Sequence, residues 1–552
     1  MTSEITPEPV PENKPGAPEE MPQQAIPQET LQTVQAVQPE ALPGAPPEAL
    51  PVILLPALPR TRWQRFLHWE LLGLFIIVLV TLIFHFAQIE RPATIVWDEV
   101  WYVGDARSIF SGTGEMRPEH PPLAKLFIVA GDYLFNGFKT PEKDSGEQTG
   151  LYIGSQSTKG ELIQVPDASK FTTGQTIRIE SEQMNITGVN LALNDLTVER
   201  GAGGSTVTSH APMQEIYVFT DKAVGWRFFA IIFGTIGIIV FYFICRKLKF
   251  PWKATMLATF LFAFEDMTFL HSGLALLDVY MVTFMLAALL AYLDKKYLWM
   301  GILVALSALC KLDGVLIMIA IFIHWMIYRK EQWKEFTIGL VTAAVSFVVL
   351  LVFFDMFIKN GIENPIARIN SLLTSTAANQ FTIPKLSISS RPWTWLYPQF
   401  VNPDYNSPFI VYSFDPQYIS FISTTIQILI IPTIGYMIYK ATKKSEAAVL
   451  VLLWFLATYL VWIPINLATN RVTFVFYFLS TTPAICIGLG MAISDWLDHL
   501  KKRRAELDRL TTGVALSYGV IGLWLLIHLA IFIVFNPAIP TIIKTWLPPF
   551  SG

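Results

Sequence analysis

From Ile95 to Ile128 the chain reads IVWDEVWYVGDARSIFSGTGEMRPEHPPLAKLFI, directly after its first long apolar segment. The stretch opens with adjacent carboxylates, Asp98 and Glu99, and closes with Glu119, His120, Pro121, Pro122 and Lys125. Ionisable groups massed where a chain leaves an apolar run point to a membrane protein with chemistry at the bilayer boundary. Composition agrees. Of 552 residues 53% are hydrophobic and only 15% charged, and mean hydropathy is +0.45. A soluble domain of this length carries more charge, so the apolar excess faces lipid.

The formal net charge of −3 points to no nucleic-acid partner, since no basic domain stands out, and none is expected. Cys245, Cys310 and Cys486 lie in or beside apolar runs with neither pairing nor metal spacing, and read as small buried hydrophobes. Residues 1–59, rich in Pro, Glu, Gln and Ala, bury too little apolar surface to offset ordering entropy. They are expected to be a disordered cytoplasmic tail rather than a signal peptide.

A bilayer core of about 30 Å needs roughly 20 apolar residues in a helix. Eleven candidate runs follow: Phe66–Ile89, Val224–Cys245, Ala254–Leu270, Leu274–Leu293, Tyr297–Leu309, Gly314–Tyr328, Phe336–Ile358, Ile419–Tyr439, Ala447–Ile465, Val472–Ile493 and Val514–Phe535. Arg60, Arg62 and Arg65 precede the first run. Lys and Arg follow the second (Arg246, Lys247), fourth (Lys295, Lys296), sixth (Arg329, Lys330), eighth (Lys440, Lys443) and tenth (Lys501 to Arg504). Every even-numbered exit is basic, which places the N-terminus in the cytoplasm and the C-terminus outside.

Two outer loops are long. In the first, Gly150 to Tyr217 alternates β-branched and polar residues between Gly and Asn turns, the pattern of a small β-domain. The second, Asn360 to Tyr418, contains SSRPWTWLYPQF, with Arg391, Trp393 and Trp395 among prolines; a plain interfacial aromatic belt competes with a binding role there. The segments expected are 1–59, a first helix and catalytic loop over 60–149, a β-domain over 150–222, helices over 223–358, the second outer loop over 359–418, and helices with a short outer tail over 419–552.

Charge in lipid costs about 2.5–3.5 kcal/mol per residue, so its placement is informative. Ionisable residues gather at the outer boundary, Asp278, Lys311 and Arg471 among them, and helix centres are nearly free of them. A coupled transporter puts its charges near the midplane. A boundary site suits a lipid-borne head group reacting with an acceptor from outside.

These residues resemble the polyprenyl- or dolichyl-phosphate-mannose protein mannosyltransferases, integral-membrane glycosyltransferases of the GT-C superfamily. The resemblance rests on Asp98-Glu99 followed by Tyr102, on EHPPLAK (Glu119 to Lys125), and on GWRFFAIIFG with Arg227. HSGLALLDVYM ending past Asp278, LSALCKLDG at Lys311, SSRPWTW and NRVTFVFYFLSTTPA continue it. It implies an all-α polytopic membrane protein of GT-C type, with about eleven transmembrane helices and the β-domain inserted in the first outer loop. Three departures stand out. Gly273 replaces the family's arginine, Phe476-Tyr477 replaces its Tyr-His, and the later loop is too short for a β-trefoil.

The resemblance implies transfer of mannose from a lipid-linked donor, polyprenyl-phosphate-mannose, to Ser or Thr hydroxyls of a protein or peptide. The site faces outward from the plasma membrane, and the reaction inverts by single displacement. Asp98 is the expected base, Glu99 its orienting neighbour or a sugar ligand, and Glu119 a positioning carboxylate or, if a divalent metal takes part, its ligand. Arg227 and Lys125 are the foremost donor-phosphate ligands, ahead of Lys311, Arg471 and His120; His120 equally fits a cap on the Pro-Pro turn. Tyr102, Asp278, Arg391, Trp393 and Trp395 are the expected substrate contacts. A dimer is admitted. Competing readings are transfer of another sugar, such as aminoarabinose, to a lipid or glycan, and a lipid-linked sugar transporter.

Overall fold

The computed structural model describes residues 69–536, apart from 91–94, 111, 113, 116, 137–146, 154–159, 174, 181, 203–205, 220–221, 360, 379–388, 398–411, 416–417 and 507–510. The N-terminal tail, Arg60, Arg62, Arg65 and the C-terminal tail therefore lie outside the described residues.

Each of the eleven apolar runs carries helix. Among the described residues four are continuous helices long and apolar enough to cross a membrane: α1 (Trp69–Gln88), α4 (Ala223–Lys247), α10 (Trp333–Lys359) and α17 (Thr512–Phe535). A fifth crossing, Glu446–Thr469, joins α14 (Glu446–Phe455) to α15 (Trp462–Thr469) through a widened turn. The other runs are shorter or broken. They are α5 (Trp252–Ala263) with α6 (Asp266–Gly273), α7 (Leu277–Leu293), α8 (Tyr297–Cys310), α9 (Ile317–Tyr328), α12 (Thr424–Gln427) with α13 (Ile430–Thr442), and α16 (Thr482–Glu506).

The breaks have local causes. Backbone groups freed at membrane depth must find partners within the protein. Glu265 caps α6, accepting from the Thr268 N–H at 2.7 Å and the Ser423 N–H at 3.0 Å, while the Ser423 hydroxyl donates to Asp266 at 2.6 Å. The chain then bends by 111° into α7, and the Ala275 N–H freed at this corner donates to Glu99 at 2.9 Å. A site element and a span are thus joined by one hydrogen bond.

Between α1 and α4 the chain forms α2 (Glu99–Phe110), α3 (Leu123–Asn136) and an antiparallel sheet. Its strands are β1 (Glu147–Tyr152), β2 (Leu162–Gln164), β3 (Thr176–Ile179), β4 (Glu182–Asn190), β5 (Asp195–Ala202) and β6 (Glu215–Phe219), in the order β1-β6-β3-β4-β5-β2. The alternation seen in the sequence buries Ile177, Ile179, Met184, Ile186, Leu196, Val198 and Ile216 on one face. Asn194 closes the β4–β5 hairpin with φ of 52°, a conformation asparagine tolerates. The pattern Asn185-Ile186-Thr187 matches a glycosylation acceptor, but Asn185 is buried and accepts from the Thr176 hydroxyl at 2.9 Å.

At one end of the sheet Arg200 grips Glu182 in a fork at 2.8 and 2.7 Å, and His210 bridges Glu182 and Glu180. Burial works to raise the Glu182 carboxyl, but Arg200, the Thr208 N–H and His210 outweigh it and hold it at about 2, against an ordinary 4.5. A carboxyl lowered on folding adds stability above its ordinary value, and that stability is lost as pH falls through about 2. Between pH 4.5 and 2 the sheet is expected to open before the helices, measurable as loss of amide-exchange protection across β4 and β5.

Candidate active site

Asp98 sits at the N-cap of α2, its carbonyl accepting from the Trp101 and Tyr102 N–H groups at 3.0 and 3.1 Å. Trp97, immediately before it, is held at φ of 51°. A bulky residue in that region costs about 1–3 kcal/mol and needs a surrounding that over-determines it. The surrounding is Glu99. Its carboxylate takes a fork from Arg227 at 2.9 and 2.8 Å and accepts the N–H of Val96 at 3.1 Å as well as that of Ala275. Arg227 also donates to the Ile89 carbonyl at 3.0 Å, and both side chains are buried. This pair ties the end of α1, the start of α2, α4 and the α6–α7 corner together. The sequence ranked Arg227 among the foremost phosphate ligands; here its guanidinium is engaged by Glu99 and the Ile89 carbonyl.

Lys125 has a similar fate. Fully buried on α3, it pairs with Asp105 at 2.8 Å and Glu115 at 2.9 Å. Glu115 also takes Arg368 at 2.7 Å, and Arg368 pairs with Asp355 at 3.0 Å. This network fixes the segment leading into Glu119, whose carboxylate takes Arg117 at 2.9 Å. Arg117 in turn lies over the Trp101 ring at 3.7 Å.

The remaining cations converge. Lys311 pairs with Asp278 at 2.7 Å, lies 3.9 Å from Asp313, and sits 5.0 and 4.8 Å from the Phe476 and Tyr477 rings. Arg471 faces the Trp462 ring at 5.8 Å and interacts with the Tyr477 hydroxyl, and its buried Nε has no hydrogen-bond partner. Among the described residues it forms no salt bridge with a carboxylate. His120 lies within the field of this group. Burial, then the charges of Lys125, Lys311, Arg117 and Arg471, push its imidazole well below the ordinary range and keep it neutral. The His120 ring meets Tyr102 edge-on at 5.6 Å, and Tyr102 lies in the first turn of α2, its N–H bonded to the Asp98 carbonyl.

The second long loop supports this arrangement. Arg391 donates to Asn466 at 2.7 Å and Asn470 at 2.9 Å, and Asn466 donates to the Arg471 carbonyl at 2.6 Å. Trp393 is partly exposed, with Arg391 5.8 Å from its ring. Trp395 is fully buried and bonds Ser390 at 2.8 Å, so it packs the core and belongs to no interfacial belt.

His271, absent from the sequence expectations, belongs here too. Its ring lies 6.0 Å from Trp97 and 5.8 Å from Phe476, and its Nδ1 has no partner. Only its place beside Gly273 marked it, because a lone histidine in an apolar run carries no pattern. Among the described residues no three His, Cys, Asp or Glu side chains are arranged to hold a metal ion.

Residues 205–362 match the family model described as Dolichyl-phosphate-mannose-protein mannosyltransferase. The structure is similar to the protein O-mannosyltransferase Pmt1-Pmt2 complex of S. cerevisiae bound to the sugar donor. That likeness has a TM-score of 0.57 at 11% identity and covers 86% of this chain and 90% of that one. The chain has the fold of that yeast protein O-mannosyltransferase complex. Looser likenesses are to ArnT from Cupriavidus metallidurans bound to undecaprenyl phosphate (TM-score 0.45, 12% identity, covering 85% and 74%) and to the apo Archaeoglobus fulgidus oligosaccharyltransferase (0.45, 13%, 88% and 56%). No curated protein matches the sequence. The chain is an integral membrane protein, and the family match covers the sixth strand and the spans from α4 to α10, including Arg227, Asp278 and Lys311.

Proposed function

We propose that this enzyme transfers mannose from a polyprenyl-phosphate-mannose donor to Ser or Thr hydroxyls of proteins. The reaction takes place on the bilayer face from which the two long loops emerge, which the Lys/Arg bias makes the extracytoplasmic face of the plasma membrane. The segment boundaries 60–149, 150–222, 223–358, 359–418 and 419–552 are retained in this proposal, with the sheet itself spanning 147–219.

The observation that carries the reading is Arg471. A buried guanidinium nitrogen without a partner, on a side chain in no salt bridge among the described residues, is costly unless an anion completes it. Lys311 stands beside the same Tyr477 ring, and His120, kept neutral, offers a hydrogen bond without adding charge. As the glycosidic bond breaks, the donor's phosphate diester becomes a monoester and gains negative charge. Fixed donors aimed there stabilise the transition state.

Asp98 accepts the proton of the acceptor hydroxyl as that oxygen attacks the anomeric carbon, and single displacement inverts the centre. Glu99 and Arg227 hold Asp98 in place. Lys125, through Asp105 and Glu115, holds the segment carrying Glu119 and His120. The similar yeast complex is bound to its sugar donor, which favours a sugar-donor site here.

Arg471→Gln is expected to raise the donor KM by roughly 10–100-fold, the loss of a charge-assisted hydrogen bond worth about 1.5–3 kcal/mol. The assay supplies labelled polyprenyl-phosphate-mannose and a Ser/Thr-rich peptide to the full chain in membranes. Label entering only lipid overturns the acceptor; an unchanged KM overturns the role of Arg471.

A further inference from the structure

Helix α11 (Pro365–Ala378) follows the end of α10 by five residues and is pinned there. Arg368 pairs with Asp355 near the end of α10, and Lys359 pairs with Glu363. Its height is therefore that of the bilayer boundary on the site side, where α10 leaves the membrane.

At that height α11 leaves large apolar side chains uncovered. Ile366 is 78% exposed and Leu373 58%; Ile362, in the preceding turn, is 75% exposed. Ile366 and Leu373 are seven residues apart, two helical turns, so they share one stripe. Around the helix, buried Leu372 and half-buried Ile369 adjoin this stripe on the protein side, and exposed Asn370 and Thr374 adjoin it on the other. The helix thus presents three sectors: one to the protein, one apolar, and one polar.

The apolar sector follows closely in sequence on a surface whose occupant is already fixed. The face of α10 that runs down from it, with Val349, Phe353, Met356 and Phe357, is exposed on a helix long and apolar enough to span the bilayer. That face meets lipid. Phe357, 63% exposed, leads directly to Ile362 and Ile366.

We infer that α11 is an interfacial helix whose Ile362, Ile366 and Leu373 sit among the lipids of the site-side leaflet, with Asn370 and Thr374 in water. The partner is the lipid surface itself. The consequence reaches the site, because the protein-facing side chain of the same helix, Arg368, donates to the Pro118 carbonyl and holds Glu115, just before Glu119 and His120. The leaflet thereby becomes one wall of the mounting that carries the candidate site's acidic loop. This inference stands apart from the sugar, the acceptor and the transfer reaction.

The test uses the full chain in phosphatidylcholine nanodiscs. The native cysteines are buried, so an added one takes a thiol-reactive, environment-sensitive fluorophore selectively. Ile366→Cys, Leu373→Cys and Thr374→Cys are exposed positions whose replacement removes no packed core. Labels at 366 and 373 are expected to shift to the blue and to be quenched several-fold more strongly by doxyl-labelled lipids than the label at 374. Equal, water-like emission at all three positions overturns the proposal. So does a blue-shifted label at 366 that doxyl lipids leave unquenched, which would mean that a second copy or another polypeptide covers the stripe.

Discussion

Asp98→Asn is expected to lower sugar transfer by roughly 10²–10⁴-fold, the usual worth of a positioned general base, while donor binding stays near the wild-type value. Asparagine keeps the shape of aspartate and still caps α2, whose first hydrogen bonds go to the backbone carbonyl of residue 98 rather than to its side chain. The Trp97 geometry, set by Glu99 and Arg227, is untouched as well. The loss should therefore fall on kcat. Raising the pH should restore part of the rate in the variant, because a hydroxyl attacking without a base depends on its own ionisation. A variant that transfers sugar at the wild-type rate removes Asp98 from the chemistry; one that loses donor binding makes it a binding residue.

The helical runs and the inserted sheet were legible in the chain, because each depends on local pattern. A run of apolar residues says span, and alternation between Gly and Asn turns says sheet, wherever the segment ends up. Pairing was not legible. Glu99 and Arg227 are 128 residues apart, and Arg368 and Glu115 are 253 apart. Nothing in either segment names its partner. The family resemblance put Arg227 and Lys125 first for a phosphate, as fixed cations in its motifs. The structure neutralises both with carboxylates and leaves Arg471, the sequence's weaker candidate, with an unsatisfied nitrogen.

Helix breaks were hidden for a related reason. Ala254–Leu270 reads as one apolar run, with Glu265 and Asp266 as boundary charges. In the fold those carboxylates satisfy backbone and side-chain donors at an interruption between α5 and α6, reaching Ser423 across more than 150 residues of chain. Trp395 was misleading in the opposite sense, since an aromatic in a proline-rich loop looks like a surface contact until its neighbours bury it.

Arg227→Met is expected to destabilise the whole chain by about 3–5 kcal/mol, because it leaves the Glu99 carboxylate buried and uncompensated. Glu99→Gln should cost a similar amount from the other side, stranding the guanidinium and weakening the bonds to Val96 and Ala275. Removing both charges at once removes the burden that each single variant exposes, so the double variant should melt higher than the sum of the two losses allows, a coupling of about 1–3 kcal/mol. Thermal unfolding of the full chain in detergent measures all three. The cycle also separates two roles for Arg227. A phosphate ligand would leave the melting temperature of Arg227→Met near wild type, abolish donor binding, and show no coupling to Glu99. A positioning pair gives strong coupling in stability, and any loss of transfer follows from Asp98 losing its place, so stabilising substitutions elsewhere should restore the fold without restoring the rate.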